Sequence, residues 1–238
     1  MIGFCDKSCP EKEAAVKKKS LFFLEGFLLI FFTFFQPFVG RPADLSETGT
    51  LSIYFMQEQV GYEEYTWEED DMGFTLTVRG RMTKPIAISI ERLVIRWNRS
   101  FIPESYQFEG SISGVRQDIR SFFSEGKAVN IKLVAGQEQS ETVDIKRDAF
   151  LLPNPVFSPY IVLTKKYRCG LQEAIPISAY IIPQMEVSAS VEPGQENPCR
   201  LVLQLGPTRI AIATDEEGIL RQLEIPSQNL RVMRTSTD

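Results

Sequence analysis

From residue 51 onward the chain alternates apolar and polar residues over one short run after another. A period of two restricts such runs to strands with one buried face. Leu51, Ile53 and Phe55 alternate with Ser52, Tyr54 and Met56, and Phe74, Leu76 and Val78 alternate with Thr75, Thr77 and Arg79. Ile86, Ile88 and Ile90 continue the pattern, but the next apolar residues are Leu93, Ile95 and Trp97, so the parity flips near Glu91-Arg92. Period two does not drift by itself, and a bulge or bend is expected there, as a strongly curved sheet requires. Tyr106, Phe108 and Ile112 share one side against Gln107, Glu109 and Ser111. Val129, Ile131 and Leu133 make a further strand, and Val143 and Ile145 a shorter one.

Turn residues punctuate these runs. Val60-Gly61 reads as a break between strands over 51–59 and 62–69. Two acidic clusters, Glu68 to Asp71 before Met72-Gly73 and Asp215 to Glu217 before Gly218, read as polar hairpin turns. Neither has the alternating acidic spacing of a calcium loop. Residues 151–155, Leu-Leu-Pro-Asn-Pro, read as a rigid apolar link. Residues 156–167 follow as a short helix begun near Asn154 or Ser158, with Pro159 in its first turn and Phe157, Tyr160, Ile161 and Leu163 on its apolar side. A strand is the alternative there, since Val, Ile and Tyr favour one. Strands resume over 175–182, 185–191, 200–205, 208–214, 219–225 and 230–233, divided by Pro183, Pro193-Gly194, Gly206-Pro207 and Pro226.

A meander with one apolar face must cover that face by closing, by packing on a second sheet or by accepting a helix. With one helix available, the expected fold is mainly β, a curved antiparallel half-open barrel with that helix against its concave side. A β-sandwich is the alternative.

The first 43 residues differ in kind. Lys17, Lys18 and Lys19 precede an apolar run from Leu21 to Phe35, the pattern of a segment handled by export machinery. The N-terminus should stay inside and the part after Gly40 should cross the membrane. Residues 1–43 are thus an export signal or a membrane anchor, and 44–238 a single antiparallel β domain. The run is long for a signal core and, interrupted by Glu25, Gln36 and Pro37, poor for a span. Cleavage and retention as an inner-membrane anchor through residues 21–40 both remain open, as does the plainer reading of a core helix. The expected location is the periplasm, free or anchored facing it.

The domain after this segment has about 195 residues, enough for a real core. No basic stripe is present, which argues against nucleic acid. Lys165, Lys166 and Arg168 read as a solvated helix end. The chain has no histidine, which removes Ser-His-Asp and Cys-His catalysis and His-liganded zinc. No catalytic residue, metal site or cofactor is expected, and the protein reads as non-enzymatic. Cys169 and Cys199 read as a disulfide if the compartment is oxidising, with two buried thiols as the alternative.

The opening Gly49-Thr50-Leu51-Ser52-Ile53-Tyr54, then Gln59-Val60-Gly61-Tyr62-Glu63, resembles the start of exported bacterial proteins of unknown function, in which a first strand ends in a Val-Gly or Ile-Gly hairpin and a second follows. The ending agrees: a turn at Asp215 to Gly218, then Leu220, Leu223, Ile225-Pro226, Val232 and Arg234. These families are similar in architecture to periplasmic lipoprotein carriers, whose half-barrel encloses an apolar cavity under a helical lid. The resemblance implies an apolar ligand, such as a lipid or the acyl chain of a lipoprotein. The candidate lining, drawn from the apolar face itself, is Tyr54, Trp67, Phe74, Leu76, Trp97, Tyr106, Phe108 and Phe157, each of which also suits ordinary core. The competing function is a structural or scaffolding module of the envelope that acts through protein partners.

Overall fold

Nearly every run with period two becomes a strand, as a computed structural model shows for residues 45–235 apart from 195–196. The first meander is β1 (Leu45–Phe55), β2 (Glu58–Glu69), β3 (Gly73–Met82), β4 (Ile88–Asn98), β5 (Pro103–Ile112), β6 (Val115–Ser124), β7 (Lys127–Val134) and β8 (Gln137–Asp144). After β9 (Phe150–Leu152) come a 3-10 turn (Ser158–Tyr160) and the helix α1 (Ile161–Tyr167). The second meander is β10 (Ile175–Ile181), β11 (Met185–Pro193), β12 (Arg200–Leu205), β13 (Thr208–Thr214), β14 (Leu220–Ile225) and β15 (Leu230–Thr235). The segment read as a signal or anchor lies outside the described residues. Among the described residues no helix is long and apolar enough to cross a membrane.

All fifteen strands form one sheet, in the order β8 to β1, then β15 to β9. The sheet is curved and mainly antiparallel, and it does not close. The first and last strands pair at its middle, with Leu51 opposite Arg234 and Ile53 opposite Val232. The parity flip near Glu91 is a register shift between Ile90 and Arg92 against β5. It keeps Ile88, Ile90, Leu93, Ile95 and Trp97 all buried on the inner face. Both acidic clusters end in turns: Asp70 Oδ1 accepts from the N–H groups of Met72 and Gly73, and Asp215 Oδ1 from those of Glu217 and Ile219.

Three expectations are corrected. Val60-Gly61 is not a turn; β1 and β2 join through Met56 and Gln57, both at positive φ, and Gly61 lies inside β2. Gly61 is needed there for another reason. A Cβ on it would come within 2.3 Å of the Arg81 carbonyl oxygen, so glycine lets β3 approach. The apolar link at 151–155 contains a strand, since Phe150–Leu152 pairs in parallel with Ala179–Ile181. Finally, on β7 the inward residues are Ala128 and Asn130, both fully buried, while Leu133 is exposed. Asn130 occupies the inner face because it links the two arms of the sheet, accepting from the Ser121 hydroxyl and donating to the Tyr180 hydroxyl, each at 2.7 Å.

The helix forms where expected, with Pro159 in its leading turn. Ile161, Val162, Leu163 and Thr164 are all buried, because α1 is enclosed by the concave face instead of lying over it. Cys169, just past its end, is disulfide-bonded to Cys199, just before β12. The disulfide suits an oxidising, exported compartment. Replacing both cysteines by serine should cost about 3 kcal/mol in the chain-entropy model. Urea unfolding of wild type and variant should differ by that amount in oxidising buffer and converge under reductant.

Candidate functional site

The antiparallel sheet has two ends, and an apolar cavity of about 710 Å³ opens at one of them. Phe55 of β1, Met82 of β3, Ile181 of β10 and Leu205 of β12 bring strand ends to it, and the hairpin tips at Pro85-Ile86 and Gly206-Pro207 border it. The segment from Leu152 to Phe157 forms its inner wall. Its polar lining is Asn154, Tyr160, Ser188, Thr208 and Gln228, and no charged side chain lines it. Its size falls within the roughly 300–1,000 Å³ usual for small-molecule sites, and a mostly apolar lining with a few polar groups is their usual form. A second hollow of about 860 Å³ lies on the outer side of β1 and β15, around Tyr54, Met56 and Met233. The Arg231–Glu224 ion pair at 2.8 Å belongs to it, which makes it a polar surface groove.

The inner wall is held from below by a buried glutamate. Glu63 lies on the inner face of β2 and is 1% exposed. Its carboxylate accepts from the N–H of Phe157 at 2.9 Å, the N–H of Ser158 at 2.7 Å and the Ser158 hydroxyl at 2.5 Å. Burial raises its pKa, and the Ser158 and Phe157 hydrogen bonds pull it back only in part. Glycine at the β3 position paired with Glu63 lets the two strands approach: a Cβ on Gly80 would lie 2.4 Å from the Tyr62 carbonyl oxygen. Towards the other end, Glu47 fixes the C-terminal half of α1. It is ion-paired to Lys165 and to Arg234 at 2.7 Å, and accepts from the Tyr65 hydroxyl at 2.7 Å. Burial alone would raise its pKa, but the bonds from Lys165, Tyr65 and Arg234 outweigh it and lower it.

The eight candidate lining residues divide as follows. Phe157 borders the cavity. Tyr54 lies in the outer groove. Trp67, Phe74 and Trp97 form an aromatic stack with Phe101, with centroid distances of 5.3 Å for Trp67–Phe74, 5.7 Å for Trp67–Trp97 and 4.5 Å for Phe74–Phe101. Leu76, Tyr106 and Phe108 are buried core. No protein-family model matches the chain, and no curated protein does. A crystal structure of a DUF1089 family protein from Pseudomonas aeruginosa is similar to it with a TM-score of 0.42, over 88% of this chain and 98% of that one, at 10% identity.

Glu63 escapes a reading based on apolar residues, yet it carries a signal. It shares the parity of Tyr65 and Trp67, so an acid stands at an inward position of a clear alternation. The cavity lining is harder to find, because most of it comes from strand ends and turns that meet only when the sheet curls.

Proposed function

We propose that this is an exported, non-enzymatic protein of the cell envelope that binds an apolar ligand, such as the acyl chain of a lipid or lipoprotein, in the end cavity. The uncharged, largely apolar cavity beside Phe157 carries the reading. The middle of the half-barrel is occupied by α1 and the aromatic stack, so the ligand belongs at the end of the sheet and not along its whole concave face. Location in the periplasm follows from the export reading and accords with the disulfide.

Native mass spectrometry of protein recovered from the envelope, followed by denaturation and organic extraction, tests this. Wild type should carry stoichiometric lipid that leaves only on denaturation. Val187→Trp places an indole in the cavity from a half-buried lining position. It should lower affinity by about tenfold or more at an unchanged melting temperature. A clean apo mass for wild type would overturn the proposal.

The filled middle of the barrel is what a structural or scaffolding module would show. That second reading predicts a protein partner recovered by crosslinking in native envelopes and no bound lipid.

A further inference from the structure

The exposed apolar side chains are unevenly placed along the sheet. Of the eight large exposed apolar side chains among the described residues, Met56, Ile86, Val115, Leu133 and Met185 lie in or within two residues of a hairpin turn at the cavity end, whereas Met72 and Phe122 lie towards the opposite end and Met233 lies in the outer groove. Five separate hairpins contribute those at the cavity end, and Pro85 and Pro207 add apolar tips at the cavity itself. The turns at the opposite end carry Asp70, Asp71, Glu125, Asp215, Glu216 and Glu217, with one base, Arg99, paired to Glu69 and Asp71.

We propose that the cavity end docks onto a lipid surface, with these hairpin tips entering the interface and the cavity opening against it. The proposal rests on the reading of the cavity as an acyl-chain site and names the source of the chain. Two observations favour lipid over a protein partner. The apolar tips are spread around a rim, whereas a protein partner needs a contiguous, complementary patch of about 800 Å² on each side. A fluid lipid interface fills the gaps between tips. The charge pattern agrees, because the acidic turns lie at the end that faces away. At the docking end Lys84 is paired with Glu58 at 3.0 Å and Arg116 with Glu91 at 2.9 Å. Attachment is therefore driven by burial of apolar side chains and is insensitive to salt.

Methionine oxidation of the full chain, read by mass spectrometry with and without phosphatidylcholine vesicles, tests the orientation. Met56 and Met185 report on the docking end, and Met72, 81% exposed at the opposite end, is the internal control. Vesicles should slow oxidation of Met56 and Met185 by about tenfold and leave Met72 unchanged, in low and high salt alike. The double variant Val115→Asp/Leu133→Asp keeps all three reporters and alters only exposed side chains outside the cavity. It should lose most of the protection while melting like wild type. Equal protection of all three methionines, protection of none, or protection abolished by salt would each overturn the proposal. The cavity is scored separately by native mass spectrometry. Retained lipid without protection of Met56 and Met185 would overturn the docking and leave the cavity reading standing. Protection without retained lipid would support the docking and overturn the cavity reading.

Discussion

Replacing Glu63 by alanine is expected to destabilise the protein by about 3–5 kcal/mol, on the scale of breaking a buried charged hydrogen-bonded group. Its carboxylate is the acceptor for the N–H groups of Phe157 and Ser158 and for the Ser158 hydroxyl. Each of the three buried donors left without a partner costs about 1–3 kcal/mol, so even the lower part of that scale reaches this range. Ser158→Ala removes a single donor and should cost only about 1 kcal/mol. Urea unfolding of the two variants measures the difference. An alanine variant within about 1 kcal/mol of wild type would show that the carboxylate does not hold the turn.

The same residue gives a pH signature. Burial raises the Glu63 pKa, so the folded protein binds a proton there more readily than the unfolded chain. Its contribution is complete below the unfolded carboxylate range, near about pH 4, and is lost as pH rises through the raised folded value. Glu63→Gln does not titrate, and its stability should gain on that of wild type as pH rises through that window. Glu47 has the opposite sign. Its folded pKa is lowered despite burial, so its contribution is present above the unfolded value and is lost as pH falls through the folded one. Glu47→Gln should therefore cost most near neutrality and little in acid.

The second large effect is expected from Trp97→Ala, at about 3–5 kcal/mol. Trp97 is 2% exposed and packs at a tilt against Trp67, which in turn stacks on Phe74. It also borders the same small interior space as Val162 and Leu163 of α1, so truncation leaves a void where sheet and helix meet. The chain has two tryptophans, both in this stack, so fluorescence reports its integrity directly. Loss of stability with the Phe157 cavity still able to bind lipid would separate this packing from the site. Loss of both would show that the stack positions the helix and, through it, the cavity wall.

Local pattern carried far in this chain. Alternation located most of the strands but not β6, whose inward Ser121 interrupts the apolar pattern, nor β9, and it caught only the end of β8. The break in parity between Ile90 and Leu93 marked a real bulge, because period two cannot shift without an extra residue. Pro159 and the apolar residues after it marked the helix. Asp70 and Asp215 marked their turns, since a carboxylate that accepts from the next backbone N–H groups needs only its own neighbours. Where a residue's role depends on what lies across the sheet, the pattern misled. Gly61 looked like a turn and is a point of close strand approach. Val129, Ile131 and Leu133 follow the inward alternation, but the inner face at β7 is taken by Asn130 reaching Tyr180.

Most of the strands, the turns at Asp70 and Asp215 and the helix after Pro159 were legible in the residues alone, because they follow from backbone periodicity and neighbouring side chains. Tertiary structure alone decided that β1 and β15 pair at the middle of one open sheet. It also placed Glu63 beneath the turn at Phe157 and Ser158, 94 residues away for its nearer partner. The cavity belongs to the same class, because its lining comes from strand ends far apart in the chain and exists only once the sheet has curved. Contacts of that range are set by which arrangement buries the apolar face and satisfies its few buried polar groups, and no local period encodes them.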